Sequence, residues 1–401
     1  MIRPIHSIAR DRLATAPSRT MTVQTALTHF ENLQVDDLIT PCLLVCPEVV
    51  ERNLRSMIAI AGSAERLRPH VKTHKCPQIV QLAVRLGVRK HKCATLAEAE
   101  LLAEHALDIL VAYPQVGPAV SRFVDLVSRY PHRKFSTVVD AIQPAQALSD
   151  QAQLRGAVVD VLIEVDPGMH RTGIELGQPL IELARQLIKL PGIRLSGLHL
   201  YDGHHHQADL VQRTTAVESM MGEVLKLVRL MQQEDLPVDQ LVCGGTPTFP
   251  VLAKWFAGEA PKRLPLLELS PGTCVLSDYN YGRDYPDVSG ICSAAILLTR
   301  VISKPAADLV TVDLGYKAIS ADPPAGRRCH FLDIPDAQEV RHNEEHLVVR
   351  TAQAAQLQIG QVLRVLPAHI CPTVALHDRM FTVDQGSITA QWPILRHRLY
   401  G

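Results

Sequence analysis

The stretch Arg68-Pro-His-Val-Lys-Thr-His-Lys75 places two lysines and two histidines at the end of a short strand-like run, Leu67–Val71. A lysine held at a strand end inside a pocket is poorly solvated, which disfavours its charged form and makes its amine a nucleophile. Such an amine can form a Schiff base with a carbonyl cofactor. Solvated turns also carry lysine and histidine, so the interpretation of this stretch depends on its place in the fold.

Seven further strand-like runs follow, and amphipathic helical patterns lie between most of them. The eight runs are Leu67–Val71, His91–Ala94, Ile109–Tyr113, Phe135–Val139, Val158–Val165, Leu195–Tyr201, Gln240–Cys243 and Leu266–Leu269. Eight strands that alternate with helices over roughly 230 residues have the number and length of a closed (β/α)8 barrel. An open doubly wound sheet is the alternative, but the chain contains no GxGxxG motif. We therefore predict an α/β fold with a (β/α)8 TIM-type barrel.

A second pattern begins after residue 290, where β-propensity is dense and helical patterns are few. Its strand-like runs are Ala294–Ile302, Leu309–Leu314, His346–Arg350, Val362–Leu366 and Met380–Val383. The chain is thus predicted to have three parts: a poorly ordered N-terminal leader at 1–34, a barrel at 35–285 and a C-terminal β domain at 286–401. The run Cys42–Cys46 lies outside the eight barrel runs and could pair with the β domain.

The composition argues against several classes of partner. Lysine and arginine (41) balance aspartate and glutamate (41) over 401 residues, so no basic surface for nucleic acid or an anionic membrane is expected. The apolar runs are too short to span a bilayer. Nine scattered cysteines without a CxxC pair fit a reducing compartment, and we predict a cytoplasmic protein. The arginine-rich first twenty residues faintly resemble a transit peptide, but a mis-assigned start upstream of Met21 is the simpler interpretation.

Chemically active residues recur where the predicted barrel strands end. In a barrel of this type such residues belong to one face, at the carboxyl ends of the strands. Lys72 follows the first run, and the loop Asp166–Gly173 with Arg171 follows the fifth. His199 and Tyr201 end the sixth run, just before the triplet His204–His206. Because adjacent side chains in an extended run diverge, one histidine of the triplet is expected to line the pocket. The candidate catalytic residues are Lys72, His199 and His204.

Glycine and hydroxyl residues follow the last two strands of the predicted barrel. At this position barrels bind phosphate through free backbone N–H groups. Ordinary turns have a similar composition, so the argument rests on the shared position of the two loops. The residues concerned are Gly244, Gly245 and Thr246 after the seventh run, and Gly272 and Thr273 after the eighth.

A pair of metal-ligating residues lies in the predicted β domain. His369 and Cys371 are two residues apart, so on a strand they would share a face and reach one ion. Two protein ligands leave positions open for water and substrate, as a Lewis-acid site requires. A thiolate with an imidazole favours Zn²⁺, with Mn²⁺ as the alternative ion. A buried cysteine beside a hydrogen-bonded histidine is the simpler interpretation, and His377 with Asp378 is a further pair that could support the first.

Five motifs in a fixed order carry a resemblance to a known family. They are Arg-Pro-His-x-Lys-Thr-His-Lys, Gly-Met-x-Arg-x-Gly, Gly-Gly-Thr-Pro-Thr, Ser-Pro-Gly-Thr and His-x-Cys-Pro-Thr. Their order resembles the metal-dependent D-threonine aldolase and D-serine dehydratase family over about residues 35 to 395. The resemblance implies pyridoxal 5'-phosphate, an alanine-racemase-like barrel (PLP fold type III), a C-terminal β domain and a homodimer.

The resemblance also implies a role for each candidate residue. Lys72 would form the Schiff base with the cofactor, while Arg171 and Tyr201 would contact its ring. His369 and Cys371 would hold a divalent metal that grips the β-hydroxyl of a D-amino acid. The implied phosphate ligands are Gly244, Gly245, Thr246, Gly272 and Thr273.

Two reactions fit this scaffold. An aldolase would split D-threonine into glycine and acetaldehyde, whereas a dehydratase would convert D-serine or D-threonine into a 2-oxo acid and ammonia. The His-x-Cys pair resembles the zinc-using dehydratases, but the following Pro-Thr-Val-Ala-Leu-His-Asp resembles the aldolases. We predict a D-threonine aldolase, with the dehydratase as the alternative. An amino-acid racemase is less favoured because of the metal pair, and a cofactor-carrying homeostasis protein because of the added β domain.

Overall fold

The computed structural model describes residues 27–258 and 264–396, which contain two sheets. The strands are Cys42–Val45 (β1), Lys90–Cys93 (β2), Asp108–Val111 (β3), Lys134–Val139 (β4), Val159–Asp166 (β5), Ile174–Glu175 (β6), Ile193–Leu200 (β7), Gln240–Cys243 (β8), Leu266–Leu269 (β9), Ala295–Ala306 (β10), Leu309–Val312 (β11), Cys329–Phe331 (β12), Gln338–His342 (β13), Leu347–Arg350 (β14), Val362–Pro367 (β15), Arg379–Asp384 (β16) and Ser387–Pro393 (β17). The helices are Pro47–Ala61 (α1), Pro77–Arg85 (α2), Leu96–Ala103 (α3), Pro118–Arg129 (α4), Ile142–Leu154 (α5), Gln178–Leu187 (α6), Leu210–Gln233 (α7), Phe249–Gly258 (α8), Tyr279–Asp284 (α9) and Ile370–Ala375 (α10).

The first sheet is the predicted barrel. Its parallel strands follow the order β2-β3-β4-β5-β7-β8-β9, and the short β6 pairs with β5. Helices alternate with these strands, and apolar side chains on one face of each helix are buried, as in α4 with Val120, Phe123 and Val124. The prediction of an α/β barrel with a β domain is therefore confirmed.

The segment 67–70 closes the barrel between its last strand and its first. Single parallel bridges join Leu67 to Leu269 and His70 to Lys92. The N–H of Arg68 donates to the carbonyl of Leu269 at 2.8 Å. The prediction of a regular strand at Leu67–Val71 was wrong, because Pro69 has no N–H to extend a ladder and the chain turns into a 3-10 helix at Val71–Thr73. This turn directs Lys72 toward the carboxyl-end face.

A buried ion-pair network holds the closing segment 67–70 in place. The Arg68 guanidinium donates to Asp108 at 2.8 Å and also to Glu268, and both Arg68 and Glu268 are fully buried. Lys90 donates to the other oxygen of Glu268 at 2.6 Å. Because a guanidinium stays charged and its burial is costly without such partners, the network holds segment 67–70 against strands β3 and β9.

The second sheet is the predicted β domain with one strand from the start of the chain. Its order is β13-β14-β11-β10-β1-β16-β17, with β15 between β10 and β12. Strand β1 pairs antiparallel with β10 and parallel with β16, which confirms the expectation for Cys42–Cys46. The sequence patterns missed β12, β13 and β17, because short strands such as Gln338–His342 carry polar side chains on exposed positions.

The leader predicted at 1–34 requires a correction at its end. Residues 1–26 lie outside the described residues. Residues 28–30 form a 3-10 turn in which Phe30 is fully buried, and Arg364 donates to the Phe30 carbonyl at 3.0 Å. The N–H of Gln34 donates to the carbonyl of Gly386 at 2.9 Å. Residues 27–34 therefore pack on the β domain, because burial of Phe30 favours an ordered chain there.

Two further expectations concern the whole chain. The nine cysteines all lie within the described residues, and each of them is a free thiol. Among the helices that the structure describes, none combines the length and apolar character needed to cross a bilayer.

Candidate active site

A cavity of about 740 Å³ opens at the carboxyl ends of the barrel strands, between the barrel and the β domain. Its walls contain most of the residues that the sequence singled out. These are Lys72, Arg171, His199, Tyr201, Gly245, Thr246, Gly272, Thr273, His369 and Cys371. Gly244 and His204 are not among the lining residues. The two predicted clusters therefore meet in one cavity, although they come from different sheets.

Lys72 is held by the turn that follows the closing segment. The backbone N–H of Lys72 donates to Nδ1 of His70 at 3.2 Å, which caps the 3-10 helix. Burial, together with the nearby charge of Lys72, lowers the pKa of His70 well below its usual value, so its ring is neutral and can accept this bond. The Lys72 amine lies 5.7 Å from the centre of the Tyr201 ring.

Arg171 reaches the same ring from the loop after β5. Its guanidinium lies 4.5 Å from the ring centre of Tyr201, within the range of a cation–π contact. The loop can turn back because Gly173 has a φ of +106° and a Cβ there would lie 2.7 Å from the backbone of Asp166. Only glycine fits this position, which explains its place in the Arg-x-Gly motif.

Three buried side chains form a network inside the barrel. Glu164 and His199 are register partners on the parallel strands β5 and β7, so their side chains share a face. Nδ1 of His199 is hydrogen-bonded to the Glu164 carboxylate, and Nε2 lies 3.3 Å from the amine of Lys92. Lys92 and Glu164 were not singled out from the sequence. Their charge within buried strands was a weak signal, since a short strand does not show which of its side chains face the barrel interior.

The two loops predicted to bind phosphate differ in how many free backbone N–H groups they offer. The backbone N–H groups of Thr246, Gly272 and Thr273 find no acceptor among the described residues. The buried hydroxyl of Ser270, which also lines the cavity, has no partner within the described chain. By contrast, the N–H of Gly245 already donates to Asp202 at 3.1 Å and to Thr248 at 3.0 Å. Free amides beside a cavity suit a phosphate, so this part of the cavity fits that group.

Gly244 has a structural reason to be glycine. Its φ is +83°, and a Cβ would lie 2.8 Å from the side chain of Leu252 in α8. The prediction that Gly244 contacts phosphate is not supported by its position, because close packing of β8 against α8 directs it away from the cavity.

The histidine triplet also differs from the prediction. His205 and His206 line the cavity, whereas His204 was the expected catalytic residue. The Nε2 atom of His204 lies 3.5 Å from where a Cβ would stand on Gly168, and its ring contacts the ring of His205 at a tilt of 43°, with centres 3.9 Å apart. The carbonyl of Asp202 accepts a turn hydrogen bond from the N–H of His205 at 2.9 Å, so the triplet lies in a turn and not in the extended run that was expected.

The metal-ligand pair lies on a helix, not on a strand. Strand β15 ends at Pro367, His369 directly precedes α10 without a capping hydrogen bond from its side chain, and Cys371 lies in the first turn of this helix. The prediction of a strand failed because a six-residue helix is too short to show a periodic pattern and its Pro372 is tolerated in a first turn. The thiol of Cys371 lies 3.1 Å from the hydroxyl of Thr73 and 3.4 Å from that of Thr273.

The pKa values of His369 and Cys371 shift in opposite directions. Burial opposes the charged forms, but the hydrogen bond and charge of His369 lower the pKa of Cys371, and the same contact helps raise the pKa of His369 to about 9. A thiolate and an imidazole are the donors that zinc prefers. Among the residues that the structure describes, no three or more His, Cys, Asp or Glu side chains are grouped to hold an ion. The pair therefore fits an open two-ligand site.

Asp322, and not His377 or Asp378, supports the metal-ligand pair. One carboxylate oxygen of Asp322 lies 2.5 Å from Nδ1 of His369. His377 donates instead to the carbonyl of Ala318 at 2.8 Å, and Asp378 binds the neighbouring Arg379 at 2.9 Å. The support predicted from His377 and Asp378 was wrong, because β15, α10 and the loop with Asp322 meet only in the folded domain.

Comparisons with known proteins find a matching family model for each half of the chain. The family model for the alanine racemase N-terminal domain matches residues 45–255, and the putative serine dehydratase domain matches residues 294–383. A D-threonine aldolase from Arthrobacter sp is 32% identical over 362 residues, which cover 88% of this chain and 92% of that protein.

Two solved structures extend the likeness to the fold. The D-threonine aldolase from Filomicrobium marinum has a TM-score of 0.81 and 26% identity, and the match covers 94% of this chain and 98% of that one. A D-threo-3-hydroxyaspartate dehydratase mutant in the metal-free form, with alanine in place of a cysteine, has a TM-score of 0.76 and 25% identity. That match covers 90% of this chain and 99% of the mutant.

Proposed function

This chain belongs to the D-threonine aldolase and D-serine dehydratase family, and from that premise we propose that it is a lyase dependent on pyridoxal 5'-phosphate and a divalent metal. Its proposed reaction is the cleavage of D-threonine to glycine and acetaldehyde. One observation carries this proposal: Thr73, the neighbour of Lys72, contacts Cys371 at 3.1 Å. The amine of Lys72 from the barrel and the thiol of Cys371 from the β domain therefore line the same cavity.

The barrel residues are proposed to hold the cofactor. The cofactor, when bound, supplies an electron sink for the bond that breaks at the substrate's Cα. Lys72 provides the amine that attaches it, and Arg171 with Tyr201 forms a wall beside that amine. The free N–H groups of Thr246, Gly272 and Thr273 are placed to bind its phosphate.

His369 and Cys371 are proposed to hold the metal, which acts as a Lewis acid on the β-hydroxyl. The hydroxyls of Thr73 and Thr273 orient the thiolate of Cys371, so this ligand is preorganised for metal binding. His205 and His206 line the cavity and replace His204 as candidates to take the hydroxyl proton. Zinc as the ion, the homodimer, the cytoplasmic location and the domain boundaries stay predictions.

The dehydratase is the second candidate, and one observation favours it. This chain carries Cys371, which we propose as a metal ligand, and the similar D-threo-3-hydroxyaspartate dehydratase mutant with alanine in place of a cysteine is in the metal-free form. The two reactions require the same holding residues and differ in the bond that is broken.

Product analysis separates the two reactions. The purified protein, loaded with cofactor and Zn²⁺ or Mn²⁺, is incubated with D-threonine and with D-serine. We expect glycine and acetaldehyde from D-threonine, which identifies the aldolase. Formation of ammonia with 2-oxobutanoate from D-threonine, and with pyruvate from D-serine, identifies the dehydratase. Interconversion of D- and L-amino acids without cleavage contradicts both and indicates a racemase.

Asp322→Asn tests the support for the metal site. The carboxylate fixes the ring of His369 and increases its basicity, and loss of such a partner lowers metal affinity by about 10–100-fold. The affinity is measured by competition with a chromophoric chelator. Asp378→Asn is the matched control, because Asp378 binds Arg379 at the surface and should leave the affinity unchanged. Equal affinities for Asp322→Asn and the unaltered protein contradict the assigned support.

A further inference from the structure

A second lysine lies in the cavity, and the proposed function leaves it without a role. Lys92 is the third residue of β2, inside the barrel, where it is only 3% exposed. It lines the same cavity as Lys72, and its own backbone N–H donates to the carbonyl of Pro69 in the closing segment. A buried lysine is costly unless it is paired or neutral, so this position calls for an explanation.

The hydrogen bonds around His199 orient Lys92. Glu164 is ionised, because the charge and hydrogen bond of His199 lower its pKa against the opposing effect of burial. Its carboxylate therefore accepts the proton on Nδ1 of His199, which leaves Nε2 as an acceptor for the Lys92 amine. Both His199 and Lys92 line the cavity, but both nitrogens of His199 are occupied, so the amine of Lys92 is the group left to exchange a proton there.

This arrangement follows the logic of a catalytic triad. A carboxylate orients a histidine, and the histidine orients the group that exchanges a proton. The prediction that His199 acts on the substrate therefore changes: His199 and Glu164 are positioning residues for Lys92.

The charges around Lys92 suit proton exchange at neutral pH. Burial and the neighbouring charge of Lys72 together lower the pKa of Lys92 to about 7, against the opposing effect of Glu164 and Asp202. An acid–base group is most effective when its pKa lies near the working pH. The groups that face Lys92 are Lys72, His70, Glu164, His199, Asp202 and Cys243.

We propose that Lys92 is the second amine of the active site and takes up the proton that the substrate's nitrogen must lose. A D-amino acid arrives with an ammonium group, whose nitrogen has no free electron pair. The neutral amine of Lys92 accepts one proton: the N–H bond breaks, its electron pair stays on the substrate nitrogen, and Lys92 becomes an ammonium. Lys92 returns this proton to the amine of Lys72 after the substrate has taken the place of Lys72. The inference rests on the proposed function.

The test isolates nitrogen exchange from bond cleavage. The cofactor-loaded protein is mixed with D-alanine, which has no β-hydroxyl, and the change in visible absorbance gives the exchange rate. We expect Lys92→Ala to slow exchange by about 10²–10⁴-fold. Added methylamine should restore the rate in Lys92→Ala but not in Lys92→Met, where the side chain fills the space. Lys226→Met, on the exposed face of α7, is the control and should exchange normally.

A titration supplies a readout that does not depend on the reaction. Lysine labelled with ¹³C at Cε is incorporated, and the signal absent from Lys92→Met is assigned to Lys92. Its midpoint should lie near 7, as the burial of this amine requires. Glu164→Gln should lower the midpoint, because the carboxylate raises the pKa of Lys92.

Each outcome decides one question. If the unaltered protein binds no cofactor at Lys72, the proposed function is wrong. If it exchanges D-alanine normally and Lys92→Met does so at the same rate, the role of Lys92 is wrong while the proposed function stands. A midpoint above about 10, the ordinary range of lysine, also overturns the role, because the amine would then stay charged.

Discussion

Lys72→Ala is expected to lose both the covalent attachment of pyridoxal 5'-phosphate and the lyase activity. Lys72 provides the amine at the rim of the barrel beside Tyr201, and alanine cannot form a Schiff base. The activity should fall by at least ~10⁴-fold, the upper end of the contribution of one acid–base group. The visible absorbance of the bound cofactor is the direct measurement, and it should be absent from the variant.

Lys72→Arg is the matched control for charge. A guanidinium keeps the positive charge near Tyr201 and Arg171, but it stays protonated and does not act as a nucleophile. We expect Lys72→Arg to lose the absorbance as completely as Lys72→Ala. An unchanged visible spectrum or a retained activity in either variant would show that another amine carries the cofactor, and Lys92 would then be the first to test.

Cys371→Ala is expected to lose the metal and the activity while it keeps the cofactor. The thiol lies in α10 of the β domain, whereas the residues proposed to hold the cofactor belong to the barrel. Loss of a residue that supports a ligand lowers metal affinity by about 10–100-fold. Loss of the ligand itself should lower the affinity further. Metal content and visible absorbance, measured on the same sample, separate the two sites.

Two controls test whether the thiolate is the ligand. Cys371→Ser keeps a hydroxyl next to Thr73 and Thr273, but a hydroxyl is a poor ligand for zinc, so the metal should still be lost. Cys329→Ala removes another thiol of the same domain, whose partner is Glu339, and should leave metal content and activity unchanged. Full activity in Cys371→Ala contradicts the metal-dependent reaction.

Much of the barrel could be predicted from the sequence. The runs Gln240–Cys243 and Leu266–Leu269 match their strands at both ends, because buried parallel strands are short apolar segments with sharp boundaries. The closing segment 67–70 could not be predicted in detail, since Pro69 limits it to isolated bridges. Order along the chain also predicted that Lys72 and Tyr201 would meet, because every strand of a parallel barrel ends on the same face.

The contacts between distant parts of the chain could not be predicted. Thr73 and Cys371 are 298 positions apart, and nothing in either local pattern indicates their contact. Asp322 lies 47 positions before His369 in a loop without periodicity. The place of Lys92 in the site could not be predicted for a different reason, because a four-residue strand does not show which side chains face the barrel interior.

The central claim is that one amine and one metal ion, held by different domains, act together on a D-configured substrate. The most direct measurement is consumption of D- and L-threonine by the purified protein, with cofactor and metal each omitted in turn. We expect consumption of D-threonine alone, and only when both are present. Equal consumption after complete removal of the metal, or consumption of L-threonine at the same rate, contradicts the claim.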